Sequence, residues 1–286
     1  MKKKLMDDAG LFLLRKGYIV KALTRSCFDL LARKGENIIL MRVLEDANSV
    51  EKEEIEEMQG IASCIKASPI IIASKASFPL EENVVYSRFG AFVLNMATFM
   101  ACIGSNLPVL KSTKAGLAAS VDSGALREKR EEAGISMSSL SKKLGVSPGM
   151  VAKYENEGAD MTIDRAEKAY SMFGKEIFRK IDVFHEVNIN SEPKSEFSFK
   201  YVDLGFSAAD INKAPFDIIS KKDDEIILTK VGDKANPQLQ SLSELLEADN
   251  LVIFRKKKPK DIPAITKKEF LEFEKSQELI KFLKGF

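Results

Sequence analysis

Residues 123–157, SGALREKREEAGISMSSLSKKLGVSPGMVAKYENE, carry the turn and capping residues of three short helices. The first helix stops at Gly134, and the second, residues 138–144, ends on Gly145, because glycine accepts the left-handed backbone of a tight turn. Ser147 then stands as an N-cap with Pro148 at the first helical position, which starts the third helix. The apolar residues that would form one small core between these helices are Leu126, Leu140, Leu144, Val146, Val151 and Tyr154.

This three-helix module resembles the helix-turn-helix of the Cro/XRE type found in phage repressors, in which the third helix enters the DNA major groove. The resemblance implies that double-stranded DNA is the partner. It also implies that Arg130 on the first helix and Glu155 on the third form an ion pair that braces the fold. The residues that it places against DNA are Ser138, Lys142, Lys143, Ser147, Pro148, Gly149, Met150, Lys153 and Asn156.

The positions that would read bases depart from the phage pattern. Where phage repressors carry glutamines, this sequence has Met137, Pro148 and Gly149, which offer no side-chain donor or acceptor to a base edge. Lys153 remains able to hydrogen-bond guanine, and the serines that open the second helix suit a phosphate. We therefore expect affinity that comes mostly from phosphate contacts, with shallow sequence discrimination.

Composition sets limits on the rest of the chain. The 286 residues are 45% apolar and carry a net charge of +2, so there is room for two or three domains and no overall basic field. Lys+Arg against Asp+Glu number 16 to 14 in residues 1–122, 11 to 9 in 123–180, and 17 to 19 in 181–286. The longest apolar run, residues 90–104, is too short to span a bilayer and predicts a buried helix, so we expect no membrane partner.

Several kinds of site are disfavoured. The single histidine, His185, excludes Ser-His and Cys-His catalysis and is expected to be a surface or packing residue. Cys27, Cys64 and Cys102 are odd in number and widely spaced, which is typical of buried thiols in a cytoplasmic protein and not of a disulfide framework or a zinc site. Neither GxxxxGK[ST] nor GxGxxG occurs, and we expect no cofactor. Lys2–Lys4 have no apolar core behind them, so we expect no export.

An internal repeat flanks the three-helix module. Residues 16–49, KGYIVKALTRSCFDLLARKGENIILMRVLEDANS, align without a gap with residues 204–237, LGFSAADINKAPFDIISKKDDEIILTKVGDKANP. The alignment includes turn residues, among them Ala47 and Asn48 with Ala235 and Asn236. A later strand recurs as ASPIIIAS, residues 67–74, and ADNLVIFR, residues 248–255. Short apolar strands that alternate with helices predict a duplicated α/β domain with helices packed on mixed sheets.

The repeat resembles the core of the PD-(D/E)xK nucleases, the group that includes archaeal Holliday-junction resolvases and restriction endonucleases. Asp29 and Asp217 occupy the first carboxylate position, and Arg42 and Lys230 the basic position of E-x-K. The second carboxylate is replaced by Leu40 and Leu228. Because Mg²⁺ prefers carboxylate and water oxygens, one aspartate beside a leucine is a poor metal site. We therefore predict no metal and no enzyme activity, with the aspartates as turn residues that hold the strand junction.

The whole arrangement resembles a family of archaeal helix-turn-helix proteins taken to be transcriptional regulators. Stretches such as CFDLLARKGENIILMRV, VVYSRFG and LREKREEAGISMSSLSKKLGVS carry that resemblance. The predicted domains are a degenerate resolvase-like α/β domain at 1–110, a hairpin or linker at 111–122, a lambda-repressor-like helix-turn-helix domain at 123–185, and a second α/β copy at 190–286.

The leading functional prediction is sequence- or structure-dependent binding of double-stranded DNA, with transcriptional regulation in the cytoplasm. The alternatives are a metal-dependent junction-type nuclease and a non-catalytic scaffold for protein interaction. Because one helix-turn-helix reads one half-site, we expect a homodimer. The two α/β repeats pair either within one chain or between chains, and the sequence identifies no small-molecule effector.

Overall fold

The computed structural model describes residues 2–189, 192–233, 237–259 and 261–286. The chain divides into two compact units. Unit 1 combines both ends of the chain, Met1–Ile72 and Phe184–Phe286, and unit 2 is Ala73–Val183. We call the two parts of unit 1 copy 1 and copy 2. The four domains predicted from the sequence stay a prediction.

Copy 1 alternates helices with strands. Its elements are α1 (Lys2–Arg15), β1 (Ile19–Ala22), β2 (Leu30–Lys34), β3 (Asn37–Asp46), α2 (Lys52–Ile65) and β4 (Ser68–Ala76), whose last residues belong to unit 2. Strands β1, β2 and β3 form an antiparallel meander, and β4 follows β3 in the strand order. Strand β4 begins with six buried residues, as expected for a strand covered on both faces.

Unit 2 joins a small sheet to the three-helix module. Its elements are β5 (Phe78–Pro79), β6 (Val84–Arg88), β7 (Ala91–Leu94), α3 (Met96–Ile103), β8 (Leu110–Thr113), β9 (Gly116–Ser120), α4 (Ser123–Glu132), α5 (Met137–Leu144), α6 (Pro148–Glu157), β10 (Asp160–Thr162) and α7 (Ile163–Phe173). Strands β8 and β9 form an antiparallel hairpin. Strand β10, which follows the three-helix module in the chain, pairs antiparallel with β9.

The prediction of one buried helix over residues 90–104 is wrong for its first half. Residues 91–94 form β7, and α3 begins only at Met96. Asn95 separates the two because its side chain accepts a hydrogen bond from the Thr98 N–H, which makes it the N-cap of α3. A continuous apolar run has no periodicity that would distinguish a strand from a helix. The boundary between β7 and α3 lies at the capping residue, Asn95.

Copy 2 repeats the order of copy 1. Its elements are α8 (Glu196–Asp203), β11 (Ser207–Asp210), β12 (Ile218–Lys222), β13 (Glu225–Val231), α9 (Pro237–Leu246), β14 (Asp249–Phe254), β15 (Ala264–Thr266), α10 (Lys267–Glu272) and α11 (Ser276–Lys284). Strands β11, β12 and β13 are antiparallel, whereas β13, β14 and β15 are parallel. The predicted fold class, mixed α/β sheets with packed helices and a helical module, is confirmed.

The repeat is visible in equivalent hydrogen bonds. In copy 1 the Asp29 N–H donates to the Met41 carbonyl at 2.7 Å, and in copy 2 the Asp217 N–H donates to the Thr229 carbonyl at 2.8 Å. The aligned residues 235 and 236, and the predicted domain start at residue 190, lie outside the described residues.

The two copies pack against each other within one chain. Lys213, in the loop after β11, forms 2.9 Å ion pairs with Glu51 and Glu54 beside and on α2. Its carbonyl accepts a 2.6 Å hydrogen bond from the Cys27 N–H. Farther along, Arg33 of β2 pairs with Glu247 at 2.9 Å. Of the two arrangements left open by the sequence, pairing within the chain is present.

Candidate nucleic-acid interface

The three-helix module is built on one apolar core. Five of the six apolar residues predicted to share it are at most 1% exposed, and Val146 packs against them half-buried. The prediction of the shared core is therefore confirmed. The core also takes side chains from β9, β10 and α7, which the sequence did not lead us to include: Ala119, Met161, Ala166, Ala169 and Phe173.

The turn between α5 and α6 follows from two local signals. Gly145 has φ +69°, in the left-handed region that a side chain disfavours, and it ends α5. Ser147 caps α6 by accepting a hydrogen bond from the Met150 N–H, with Pro148 in the first turn. Helix α5 begins at Met137, one residue before the predicted start, because Ser136 is its N-cap and binds the Ser139 N–H at 3.1 Å.

A buried ion pair holds α4 to α6. The Arg130 guanidinium donates from Nε and from a terminal nitrogen to the two Glu155 carboxylate oxygens, at 2.6 and 2.9 Å. It also donates to the Ile135 carbonyl at 3.0 Å. The hydrogen bond to Glu155 is the main reason that the pKa of Arg130 is raised above its ordinary value. With both side chains shielded from water, this pair fixes how α6 sits on the module.

Most of the predicted contact residues are solvent-exposed on α5, α6 and their turn. These are Ser138, Lys142, Lys143, Ser147, Pro148, Gly149, Lys153 and Asn156. Met150 is half-buried and packs against the core together with Met137, so each has only part of its surface left for a base.

The lysines of α5 and α6 differ from the other basic side chains of the module. Within the part of the chain that the structure describes, Lys142, Lys143 and Lys153 form no ion pair or side-chain hydrogen bond. In contrast, Lys129 of α4 pairs with Glu132 at 2.8 Å, and outside the three helices Lys111 of β8 pairs with Asp160 at 2.9 Å. The unpaired cations of the module thus include those on the two helices that define a helix-turn-helix, where a phosphate would bind them.

One predicted contact residue is already engaged. The Asn156 side-chain oxygen accepts a 2.5 Å hydrogen bond from Arg127 of α4, which also donates to the Glu155 carbonyl at 3.1 Å. Sequence spacing could not show this contact, because the two residues lie 29 positions apart on different helices. Asn156 therefore orients Arg127 at the end of α6, and its amide nitrogen is the group left for DNA.

The two aspartate centres that the sequence predicts to be degenerate nuclease sites share one geometry. In copy 1 the Asp29 carboxylate accepts the Val43 N–H at 2.8 Å, the Lys2 ammonium at 2.8 Å and Arg42 at 3.5 Å. Arg42 also donates to Glu54 of α2 at 2.8 Å, a contact that the sequence did not predict. These bonds tie the start of β2 to the end of β3.

The centre of copy 2 is simpler and more open. The Asp217 carboxylate accepts the Val231 N–H at 2.6 Å and the Lys230 ammonium at 2.7 Å. Its side chain is 34% exposed, against 11% for Asp29. In both copies each carboxylate oxygen is bound to a donor, and the leucines at the second acid position, Leu40 and Leu228, are fully buried.

The residues of these centres do not fit a magnesium ion. A divalent cation needs several free oxygen ligands, and here the carboxylates already neutralise ammonium or guanidinium groups. Among the described residues, no group of three or more His, Cys, Asp and Glu side chains could hold a metal.

Comparison with known proteins agrees with this architecture. Residues 2–108 match the PD-(D/E)XK superfamily domain, and residues 126–177 match a helix-turn-helix family. A protein of Archaeoglobus fulgidus named "Putative HTH-type transcriptional regulatory protein" is 33% identical over 275 residues, covering 90% of this chain and 89% of that protein. The chain belongs to this family of archaeal helix-turn-helix regulators.

Other relatives have the same description. A protein of Methanocaldococcus jannaschii is 28% identical over 294 residues, covering 94% of this chain and 92% of its own length. One of Pyrococcus furiosus is 27% identical over 280 residues, covering 90% of this chain and 89% of its own length. No solved structure matches the chain. Within the described ranges, every helix of this family member is too short or too polar to cross a bilayer.

Proposed function

We propose that this helix-turn-helix protein binds double-stranded DNA in the cytoplasm through α5 and α6, as a Cro/XRE-type transcriptional regulator with shallow sequence preference. The observation that carries the proposal is the set of unpaired, exposed ammonium groups of Lys142, Lys143 and Lys153. Each belongs to a helix whose apolar residues pack in the core of the module, so its polar side can enter a DNA groove.

The chemistry of the exposed edge favours phosphate over bases. Lys142 and Lys143 offer point charges to the DNA backbone, and the first N–H groups of α5 and α6 add a positive helix end. Pro148 and Gly149 occupy the start of α6, where they offer no side-chain hydrogen bond to a base. Lys153 is the side chain that we assign to a guanine edge.

Salt-dependent binding tests this assignment. Lys142→Ala with Lys143→Ala should make the negative slope of log K against log[salt] shallower by about 2 on every duplex, because each lost phosphate contact removes about 0.9 from its magnitude. Lys153→Ala should instead reduce the difference between the best duplex and random DNA. Lys168→Ala removes one exposed charge from α7 and is the control, with an expected change in slope near zero. Discrimination above about 10⁴ by the wild type would contradict shallow readout.

We also propose that neither degenerate centre hydrolyses DNA. The support is that Asp29 and Asp217 are bound to basic side chains, while Leu40 and Leu228 stand at the second acid position. Branched and linear DNA incubated with Mg²⁺ should stay intact. Cleavage that disappears in Asp29→Ala or Asp217→Ala would instead establish a nuclease of the junction-resolving type.

Two modules on one DNA would supply the two half-sites that a helix-turn-helix needs, so we propose a homodimer. Light scattering of the free protein and of its complex with a 30-base-pair duplex, a length of about three helical turns, would measure the stoichiometry. One chain per duplex at saturation would contradict the dimer. Failure to bind any duplex at low salt would favour a scaffold for protein interaction.

A further inference from the structure

One edge of the copy 2 sheet collects several loops. Strands β13, β14 and β15 are parallel, so their carboxyl ends lie at the same edge. Asp233 follows β13, residues 255–258 follow β14, and α10 begins directly after β15. In open α/β sheets, ligands bind outside the carboxyl ends of the strands.

Residues 255–258, Arg255-Lys256-Lys257-Lys258, form what we call the basic loop. All four side chains are exposed, and in the described part of copy 2 they make no ion pair or side-chain hydrogen bond. The neighbouring Lys267 is different, since it pairs with Glu196 at 2.6 Å. A cleft of about 380 Å³ lies beside the loop and is lined by Arg255, Thr266 and Lys267.

The basic loop has a defined backbone. One carboxylate oxygen of Asp233 accepts the N–H groups of Arg255, Lys256 and Lys257 at 2.6, 2.8 and 3.3 Å. These bonds, from Lys256 first and then Arg255, keep the pKa of Asp233 below its ordinary value. The carboxylate therefore stays charged and fixes the backbone of the loop, whose four basic side chains are all exposed.

The other acid that faces the basic loop is also engaged. Glu269 lies near Lys258, but its carboxylate accepts the Thr266 N–H at 2.6 Å and the Thr266 hydroxyl at 2.8 Å. It thus completes the capping box of α10. Four cations therefore face solvent, while Asp233 and Glu269 are bound to other groups and Glu196, which lines the same cleft as Arg255, is paired with Lys267.

The four basic residues of the basic loop occur in copy 2 and are not repeated at the equivalent positions of copy 1. In the alignment of the two later strands, Arg255 corresponds to Ser74 and Lys256 to Lys75. The next two positions in copy 1 are Ala76 and Ser77, so copy 1 has one basic residue where copy 2 has four. A shared structural need would have placed charge in both copies.

We propose that the basic loop is a second DNA contact, which binds the phosphate backbone of double-stranded DNA without reading sequence. The choice of DNA as the partner rests on the proposed function of the helix-turn-helix in the same chain. Four adjacent cations without acidic partners suit a polyanion, whose bound counterions they release. Covalent linkage to the helix-turn-helix raises the local concentration of DNA at the loop.

Binding of a random 30-base-pair duplex by the full chain, followed by fluorescence anisotropy from about 50 to 200 mM salt, tests the proposal. Changing Lys256, Lys257 and Lys258 to alanine should reduce the magnitude of the negative slope of log K against log[salt] by about 3 and weaken binding at least tenfold at the lower salt. Changing the same residues to arginine keeps the charges and should leave the slope unchanged. Loss of binding in the arginine variant would mean a structural role and would overturn the proposal.

Two further comparisons separate this inference from the proposed function. Lys3→Ala with Lys4→Ala removes two adjacent exposed charges from α1 of the same unit. An equal change in salt slope per removed charge there would overturn a specific site at the basic loop.

The alanine variant of the basic loop is also combined with Lys142→Ala, Lys143→Ala and Lys153→Ala. If the slope of the combined variant is shallower than that of the helix-turn-helix variant, the basic loop contacts DNA whether or not the helix-turn-helix does. An unchanged slope would overturn the proposal for the basic loop and leave the proposed function in place. Tighter binding to anionic vesicles than to DNA would overturn DNA as the partner.

Discussion

At the scale of single residues, the Arg130–Glu155 pair sets the stability of the DNA-binding module. Arg130→Ala leaves the shielded Glu155 carboxylate with only the 3.9 Å contact of Arg127, so the free energy of unfolding should fall by about 3 kcal/mol. Arg130→Met combined with Glu155→Leu removes both charges and should recover most of that loss. Urea unfolding monitored by circular dichroism measures both. A double variant as unstable as the single one would contradict the role given to the pair.

The three thiols should be unreactive in the folded protein. Burial raises the pKa of Cys27 to about 12, and burial likewise raises those of Cys64 and Cys102 to about 11. Cys27 and Cys102 are buried, as predicted, whereas Cys64 is only half-buried. Because the thiolate is the reactive form, alkylation at pH 8 should modify them only after unfolding.

The same shifts predict how stability depends on pH. The unfolded thiols lose protons above their ordinary value of 9.0, while the folded thiols keep theirs to about pH 11. The free energy of unfolding should therefore fall as the pH rises from 9 to about 11. Replacing all three cysteines with alanine should make the fall between pH 9 and 10 shallower, whereas buried Tyr201, whose pKa is also raised by burial, keeps lowering stability above its ordinary value of 10.0. Alkylation of the native wild type at the rate of a free thiol would contradict the assignment.

At the scale of elements, the role of Ser147 as the N-cap of α6 can be separated from its proposed contact with DNA. Ser147→Ala removes the hydrogen bond to the Met150 N–H and should cost about 1 kcal/mol of stability. Ser147→Asp should keep the stability, since aspartate is an equally good N-cap. Its negative charge would face a phosphate, so DNA binding should weaken in Ser147→Asp more than in Ser147→Ala. Thermal unfolding and anisotropy decide this, and unimpaired binding by the aspartate variant would remove Ser147 from the interface.

Elements whose signals are local were predictable from the sequence. Gly145, Ser147 and Pro148 marked the boundaries of α5 and α6 because capping acts within three or four residues. The prediction of one helix over residues 90–104 was wrong because a continuous apolar sequence has no period, and Asn95 is the N-cap of a helix that begins only at Met96. The basic loop was missed because charge was counted over residues 181–286, where acidic residues elsewhere offset its four cations.

At the scale of the whole molecule, contacts between segments far apart in the chain could not be predicted from the sequence. Lys213 and Glu54 are 159 positions apart, and neither lies in a pattern that marks a partner. Both copies share a sequence pattern, yet that pattern fits pairing within a chain and between chains equally well. Only the placement of the loop after β11 against α2 and Cys27 decides between them.

This packing predicts that both copies unfold together. Phe270 of α10 is fully buried in the core of copy 2, so Phe270→Ala should lower the free energy of unfolding by about 3 to 5 kcal/mol. If unit 1 is one cooperative structure, amide hydrogen exchange should accelerate by the same free energy in β2 and β3 of copy 1 as in β12 and β13 of copy 2. Leu126→Ala, a truncation in the core of unit 2, is the control and should leave the exchange of β2 and β3 unchanged. Unchanged exchange of β2 and β3 in Phe270→Ala would show instead that the ion pairs of Lys213 and Arg33 join two copies that fold independently.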